Sequence, residues 1–276
     1  PAQDVPIGYL GSVPGYLSTA FNDAVVAKRD ADIIPALDLL KTHGMSAITG
    51  GVGGPNFQGY ENGAVKVDFT NVDKVMDAAA SRFSFPALTY AGLEPGGLGF
   101  DAYQVKDMSA YGKTYTQVLT DVITAVRQRS SARKWPDLVY TVGDEPGEDM
   151  IASTNALADA VKAAGGRSAL FTSFTSATEP KAVFASHVSE LYLTLHSQAA
   201  MQHILNSGND CGTYNLGGRY ARGLYQYKLR RFGCKGGYFQ FAFNSIHVDP
   251  YYALDGREED FAAALATSTP GKLIST

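Results

Sequence analysis

Apolar and polar positions alternate on two length scales along this chain. Short runs rich in Val, Ile, Tyr and Phe are separated by longer segments in which apolar residues recur with helical spacing. This alternation predicts βαβ units and a parallel sheet. The runs predicted as strands are Val5 to Gly11, Met45 to Gly50, Phe85 to Ala91, Leu138 to Gly143, Ser168 to Ser173, Leu191 to His196, Gly212 to Leu216 and Gly237 to Asn244.

The longer segments predict one helix after each strand, and Gly follows several of them where a helix takes its closing left-handed residue. They are Ala31 to Thr42, Asn71 to Arg82, Tyr115 to Arg129, Met150 to Ala164, Pro180 to Ala185, Gln198 to Asn206, Gly218 to Phe232 and Glu258 to Ala266. The matched numbers of strands and helices predict a (β/α)8 TIM barrel. The 276 residues are close to the length of one such barrel, so we expect a single domain over residues 1–276.

Two stretches that follow predicted strands, Gly51 to Asp68 and Gly92 to Tyr111, are too long to be simple connectors. In a barrel, long loops after the carboxyl ends of strands build the active site. A doubly wound open sheet is the main competitor, but it carries a Gly-rich phosphate turn after its first strand. The segment Gly11-Ser-Val-Pro-Gly15 does not match that turn.

The composition of the chain limits the classes of ligand that we expect it to bind. Charged residues make up 18% of the chain and the net charge is -4, which argues against nucleic acid as a ligand. The 16 Tyr and 14 Phe offer flat apolar faces that suit sugar rings, although most such rings fill barrel cores. No apolar run is long enough to cross a membrane. We expect a monomer or weak homo-oligomer.

The amino terminus, Pro1-Ala-Gln-Asp-Val-Pro6, has neither an initiating Met nor a basic-then-apolar signal, as expected of a processed end. We therefore expect a secreted or periplasmic protein. Cys211 and Cys234 precede neighbouring predicted strands at the same end, which places a disulfide within reach. Two buried free thiols remain the equal alternative. No histidine pair has the spacing of a metal site, so we predict no metal and no cofactor.

The strongest chemical signal is the segment Leu138-Val-Tyr-Thr-Val-Gly-Asp144-Glu145-Pro146, an apolar strand that ends in two carboxylates. Charged side chains at the carboxyl end of a barrel strand face the pocket, and many glycosidases place an acid/base at the fourth strand. The alternative is that Asp-Glu-Pro only opens a helix, where acidic residues and Pro are both favoured. We interpret Asp144 and Glu145 as the catalytic pair.

A common retaining glycosidase needs a second carboxylate about 5 to 5.5 Å from the first. None of the last three predicted strands ends in Asp or Glu, and Glu94 and Asp249 are fallback candidates in loops. The lack of a nucleophile suggests substrate assistance, in which the 2-acetamido oxygen of the sugar attacks the anomeric carbon. Glu145 would then be the acid/base and Asp144 would orient the acetamido group.

Further polar residues end the other predicted strands and are candidates for binding sugar hydroxyl or acetamido groups, with ordinary barrel packing as the equal alternative. They are Tyr90, His196, Tyr214, Asn215, Gln240 and Asn244. No Gly-x-Ser-x-Gly elbow is present, which argues against an α/β-hydrolase esterase.

The chain resembles glycoside hydrolase family 123 and its relatives. The resemblance covers Val67-Asp-Phe to Tyr90-Ala-Gly, Tyr140 to Pro146, and Gly218-Arg-Tyr-Ala-Arg-Gly223 through Gly236-Gly-Tyr-Phe-Gln240. It implies a retaining β-N-acetylgalactosaminidase acting on a glycan, with Asp144 and Glu145 matching the catalytic pair. The chain departs from the family at the end of the last predicted strand, where members commonly carry Trp and this chain has Phe and Gln240, and the resemblance does not extend to the β-sandwich domain that members often carry.

Two other functions are compatible with the same residues. A conventional glycosidase for a sugar without an acetamido group would pair Glu145 with Glu94 or Asp249. A carbohydrate-binding barrel would hold glycans without cleaving them. Product formation from an aryl glycoside separates the two enzymes from the binding module.

Overall fold

The structure, a computed structural model, describes residues 7–10, 23–42, 44–48, 56–84, 87–91, 93, 106–172, 186–193, 198–214 and 229–241. Its strands are β1 (Ile7–Leu10), β2 (Asn56–Glu61), β3 (Ala64–Asp68), β4 (Ala87–Tyr90), β5 (Leu138–Asp144), β6 (Arg167–Thr172), β7 (Glu190–Leu193), β8 (Asp210–Tyr214) and β9 (Gly237–Phe241). Its helices are α1 (Asp23–Thr42), α2 (Thr70–Ala80), α3 (Tyr115–Arg133), α4 (Ile151–Ala163) and α5 (Gln198–Asn206).

Seven of these strands form one parallel sheet in the order β1-β9-β8-β7-β6-β5-β4. The expected α/β fold with a parallel sheet is therefore confirmed. Successive strands are neighbours, and the first strand lies beside the last, with Tyr9 in register with Gln240. This is the order in which a parallel sheet closes on itself.

The strand predicted over Met45 to Gly50 is wrong for residues 45–48, which follow α1 but do not join the sheet. Those residues are nevertheless largely buried, and Ala47 packs with side chains of the sheet. Apolar character alone predicted the strand, but a strand also needs backbone partners on a neighbouring strand, which an apolar run does not specify.

The helix predictions hold for α2, α4 and α5, with α5 matching Gln198 to Asn206 at both ends. Two helices are longer than predicted. α1 begins at Asp23, eight residues before the predicted start, and contains Pro35 in its interior, and α3 continues to Arg133. Residues 229–232 are helical, whereas the predicted helices at Pro180 to Ala185 and Glu258 to Ala266 lie outside the described residues.

The alternating side chains of the sheet divide the core into two layers. One face packs against the helices and includes Leu138, Tyr140, Val142, Leu170, Leu191 and Leu193. The other face, called here the inner face, carries Ala47, Val139, Ala169, Phe171, Tyr192 and Tyr214 in a separate cluster. A side chain at Gly212 is excluded because its Cβ would lie 2.4 Å from the Tyr192 ring. Glycine at this position therefore makes room for a large aromatic residue on the inner face.

Residues 56–68 form a β-hairpin, so the prediction of a plain long loop over Gly51 to Asp68 is wrong there. Glu61 pairs with Ala64 across a turn made of Asn62 and Gly63, which have φ of 51° and 80°. Positive φ at both turn residues is the requirement of the two-residue hairpin turn that Asn-Gly favours. The dipeptide was therefore a usable signal for the hairpin.

Cys211 at the start of β8 and Cys234 before β9 form a disulfide, with a Cα–Cα distance of 4.9 Å. The alternative of two free thiols is therefore not what the structure contains. Both residues lie near the amino ends of neighbouring parallel strands, as the predicted layout requires. No helix among the described residues is long and apolar enough to cross a membrane.

Candidate active site

The two acidic residues of the Asp-Glu-Pro segment lie at the carboxyl end of β5, where a β-bulge changes the direction of the strand's side chains. Thr141 is in register with Ala169, but the next pairs are Gly143 with Leu170 and Asp144 with Phe171. Residues in register across parallel strands share a face, so Asp144 lies on the inner face with Phe171. In a regular strand Thr141 and Asp144, three positions apart, would face opposite sides. The bulge therefore turns Asp144 inward.

Glu145 leaves the strand in the left-handed region, with φ of 48°. Its backbone N–H donates to the carbonyl oxygen of Phe171 at 2.8 Å, which ties the residue to β6. A non-glycine residue in this region costs about 1 kcal/mol or more and is concentrated at functional sites. Because of this turn, two consecutive side chains that would normally diverge both reach the inner face.

The acidic pair belongs to the strand and not to the next helix. Asp144 is the last residue of β5, whereas helical conformation begins only with the short 3-10 helix Glu148–Met150 that precedes α4. The pair is therefore too far from the first turn of α4 to act as its N-terminal acidic residues. A role in starting the helix does not explain these carboxylates.

Tyr214, the last residue of β8, contacts Glu145 directly. Its hydroxyl donates to Glu145 Oε1 at 2.7 Å, although the two residues are 69 positions apart. The Tyr214 ring is buried and packs edge-to-face on Phe171, with ring centroids 4.9 Å apart. A buried ring with few rotamers gives its hydroxyl a fixed position, so this contact orients the Glu145 carboxylate.

The electrostatic environment differs from that of an ordinary surface aspartate. Solvent reaches the Asp144 side chain, yet enough protein surrounds its carboxylate that partial desolvation raises the pKa, and the negative charge of Glu145 raises it further, to about 6. Two carboxylates in one place disfavour double ionisation. A carboxyl pKa raised by burial and by a neighbouring carboxylate is typical of functional sites.

The structure brings Asp144, Glu145 and Tyr214 together among the residues that the sequence singled out. Tyr90 and Gln240 end up in β4 and β9 as expected, but their side chains are outside the described part. The remaining candidates also lie outside the described residues: His196, Asn215, Asn244, Glu94 and Asp249. Their proposed contacts with a sugar remain predictions.

Phe171 is part of this site but was not among the sequence candidates. Its carbonyl accepts from Glu145, its ring supports Tyr214, and Tyr192 packs on it at a centroid distance of 4.9 Å. Nothing in an apolar strand residue indicates such a role. The bulge, in contrast, had a signal in Gly143, because an isolated glycine within a strand pattern often marks one.

No group of three or more His, Cys, Asp or Glu side chains that could hold a metal ion occurs within the described ranges. The chemistry that the arrangement supports is proton transfer by two adjacent carboxylates and hydrogen bonding by a tyrosine.

Comparison with known proteins relates the fold to glycoside hydrolases. A family 123 glycoside hydrolase from Clostridium perfringens shares the fold with a TM-score of 0.54 and 9% identity, over 86% of this chain and 49% of that protein. Weaker likenesses are an O-GlcNAc hydrolase from Thermobaculum terrenum (TM-score 0.43, 8% identity, 94% and 63% covered) and an N-acetylneuraminate lyase from Mycoplasma synoviae (TM-score 0.45, 10% identity, 95% and 79% covered).

These likenesses concern the fold, since all three identities are at or below 10%. The chain spans about half the length of the family 123 enzyme. No protein-family model matches the sequence, and no curated protein matches it. The resemblance to family 123 is thus supported as a glycosidase-like fold, without a shown sequence family.

Proposed function

We propose that this protein is a retaining glycoside hydrolase that cleaves β-linked N-acetylhexosamine by substrate assistance. One observation carries the proposal. Asp144 and Glu145 are consecutive, yet the bulge and the positive φ bring both carboxylates to the carboxyl end of the inner face. A substrate-assisted glycosidase needs one carboxyl group at the leaving oxygen and a second at the acetamido N–H, since the nucleophile of the first step is the carbonyl oxygen of the substrate's own amide.

In the first step Glu145 donates a proton to the glycosidic oxygen as the bond from that oxygen to the anomeric carbon breaks. The acetamido carbonyl oxygen attacks the anomeric carbon and forms a cyclic oxazolinium-type intermediate. Tyr214 engages Oε1 of Glu145, so Oε2 is the oxygen that would carry the proton. A fixed carboxyl group loses less entropy in reaching the leaving oxygen.

Asp144 accepts the acetamido N–H and stabilises the positive charge that develops on the amide. In the second step the Glu145 carboxylate takes a proton from water, and the resulting hydroxide-like oxygen attacks the anomeric carbon from the side that the leaving group vacated. The acetamido group is released, and the anomeric configuration is retained. Each step needs only these two carboxyl groups, the substrate and one water.

Galactosamine-containing glycans are the favoured substrates. The proposal is supported by the resemblance to family 123 and by the fold likeness to a family 123 enzyme described as hydrolysing the glycans of glycolipids. A closed barrel in one domain is part of the proposal, and it is supported by the parallel order of the seven strands with β1 beside β9. The Cys211–Cys234 disulfide suits a secreted or periplasmic enzyme.

The test is hydrolysis of aryl β-N-acetylgalactosaminides and aryl β-N-acetylglucosaminides by wild type and Glu145→Gln. Loss of the general acid lowers kcat/KM by about 100-fold or more. The loss is smaller with a dinitrophenyl leaving group, which departs without protonation. Glu61→Gln is the matched control, because Glu61 is an exposed glutamate at the tip of the hairpin.

Turnover that is the same in Glu145→Gln and wild type would sink the assignment. Hydrolysis confined to aryl sugars without an acetamido group, and insensitive to a thiazoline inhibitor, indicates a conventional glycosidase using Glu94 or Asp249. Glycan binding without product indicates a carbohydrate-binding barrel. Each outcome replaces the proposed function by a different one.

A further inference from the structure

An aromatic cluster lies on the β2–β3 hairpin and on the short 3-10 helix Ser109–Tyr111 that precedes α3. Phe57, Tyr60 and Tyr111 contact one another, with ring centroids 5.4 to 5.8 Å apart. We call these three residues the aromatic rim. The Tyr111 side chain is 44% exposed. It is one of two large hydrophobic side chains that are exposed among the described residues. The other, Ile34 on α1, lies outside this cluster.

The structure holds the rim in place from both sides. The Tyr60 hydroxyl donates to Asp121 Oδ2 of α3 at 2.6 Å, and Lys113 Nζ lies 3.0 Å from the same oxygen. Tyr111 closes the 3-10 helix Ser109–Tyr111, where its backbone N–H donates to Met108. Glycine is favoured at position 59 by its φ of 100°, and the Tyr111 ring packs over this residue, 3.5 Å from the position a Cβ would occupy. The exposed ring is thus part of a fixed surface.

The rim lies at the same end of the sheet as the two carboxylates. Tyr111 belongs to the connection from β4 to α3, and connections from strand to helix lie at the carboxyl end of a parallel sheet. Two backbone hydrogen bonds connect the hairpin to the chain after β4, and that chain to β5. Phe57 N–H donates to the carbonyl of Leu93, three residues beyond β4, and Ala91 N–H donates to Thr141 of β5. Thr141 is in the strand that ends at Asp144.

The chemistry of the rim suits a sugar. A pyranose ring has an apolar face of C–H groups and an edge of hydroxyls. The Tyr111 ring offers an apolar face, and Lys113, whose Nζ lies 5.1 Å from the Tyr60 ring centroid, offers a polar group next to it. One exposed aromatic is too small a surface for a protein partner, which needs an apolar patch of several hundred Å².

We propose that the aromatic rim is a second carbohydrate subsite, which binds a sugar unit away from the bond that is cleaved. This inference rests on the proposed function, because it takes the carboxylates as the cleavage point. The protein then acts on oligosaccharide chains in preference to isolated terminal sugars. Tyr111 is the side chain on which the distant unit stacks.

The experiment measures affinity in the Glu145→Gln background, which binds without cleaving. The probes are an aryl β-N-acetylgalactosaminide and immobilised tetrasaccharides with internal β-linked N-acetylgalactosamine or N-acetylglucosamine. We expect tetrasaccharides to bind more tightly than the monosaccharide. Tyr111→Ala should lower the ratio of tetrasaccharide to monosaccharide affinity about tenfold, the loss typical of a truncated aromatic contact.

Two further variants make the result specific. Tyr111→Phe keeps the ring and should keep the ratio, which separates stacking from a change in folding. Ile34→Ala removes an equally exposed apolar side chain elsewhere and should leave the ratio unchanged. Thermal melting of each variant checks that the fold is intact.

A ratio that survives Tyr111→Ala overturns the subsite, and so does the absence of any tetrasaccharide preference in the parent. The proposed function has its own readout, the turnover of the aryl glycoside by wild type. If wild type turns over the aryl glycoside and Tyr111→Ala does not change the affinity ratio, the proposed function stands and the proposed subsite is wrong. If tetrasaccharide binding depends on Tyr111 but no substrate is turned over, Tyr111 binds carbohydrate and the proposed enzymatic function is wrong.

Discussion

The two ends of the inner face use the same residue types for different purposes. At the carboxyl end, the Tyr214 hydroxyl binds Glu145, and both that carboxylate and its neighbour Asp144 are open to solvent. At the amino end, the Tyr192 hydroxyl donates to Glu190 Oε2 at 2.9 Å and contacts the carbonyl of Gly236. Glu190 is buried and is paired with Arg167.

The difference lies in how each carboxylate is balanced. Burial raises the pKa of Glu190, but the positive charge of Arg167 and the hydrogen bond from Tyr192 oppose that rise. For Asp144, burial and a second negative charge act in the same direction. The amino end therefore resembles a structural ion pair, whereas the carboxyl end keeps a carboxyl group that titrates near neutral pH. The contrast separates a buried carboxylate held in an ion pair from two solvent-open carboxylates whose negative charges lie side by side.

The largest expected effect is that of Asp144→Asn. Removing the carboxylate that steadies the acetamido group should lower kcat/KM by about 100-fold or more, whatever the leaving group, unlike Glu145→Gln. The folded-state pKa of about 6 lies above the ordinary aspartate value of 3.8, so the ionised group destabilises the fold above pH 6. Asp144→Asn should thus raise the free energy of unfolding at pH 7.5, with the gain vanishing as pH falls below about 4.

Denaturant titrations at pH 7.5 and pH 4, with kinetics on two leaving groups, measure both parts. Wild-type kcat/KM should also fall as pH drops through about 6, because protonation removes the negative charge with which Asp144 stabilises the positive charge developing on the acetamido group. If Asp144→Asn is both less active and less stable than wild type at pH 7.5, the Asp144 charge does not destabilise the fold and the contrast with Glu190 fails.

Breaking the pair at the amino end should reduce stability and not change the chemistry. Arg167→Met leaves the Glu190 carboxylate buried without its cation, which costs about 3 kcal/mol of unfolding free energy, the low end for a broken buried pair because Arg167 itself is half exposed. The deficit should narrow as pH falls, because burial raises the pKa of Glu190 and protonation then favours the folded state. Urea unfolding over a range of pH measures both effects.

The matched control is Asp137→Asn, which removes the other, exposed partner of Arg167 at 3.3 Å. An exposed pair contributes little, so the expected change is under about 0.5 kcal/mol. The double variant Arg167→Met with Glu190→Gln should recover much of the lost stability. Equal losses of unfolding free energy in Arg167→Met and Asp137→Asn would contradict the stronger contribution expected of the buried pair.

The smallest expected effect compares the two tyrosines. Tyr214→Phe removes the hydrogen bond to Glu145 and should lower kcat/KM about tenfold, more for poor leaving groups than for good ones. Tyr192→Phe, which keeps a ring packed on Phe171, should lower stability and leave kcat/KM as it is. Melting curves and kinetics on both variants suffice. An equal response of the two variants in kcat/KM would remove Tyr214 as a positioning residue.

Much of the fold could be predicted because it follows local periodicity. The apolar runs located all seven strands of the parallel sheet, and the ends of α5 matched. The hairpin was missed although Asn62-Gly63 signalled it, because the surrounding glycines suggested a loop. The strand predicted over residues 45–48 is absent, since burial of an apolar run does not provide it with backbone partners on a neighbouring strand.

The sequence by itself determined that two carboxylates, Asp144 and Glu145, follow an apolar strand, because this depends only on residue order. The tertiary structure alone decided that both reach the same face. That outcome needs the bulge against β6 and the hydrogen bond from Glu145 to Phe171, and both depend on the register with a separate strand. The bond between Tyr214 and Glu145 likewise joins residues 69 positions apart, a distance over which local pattern carries no information.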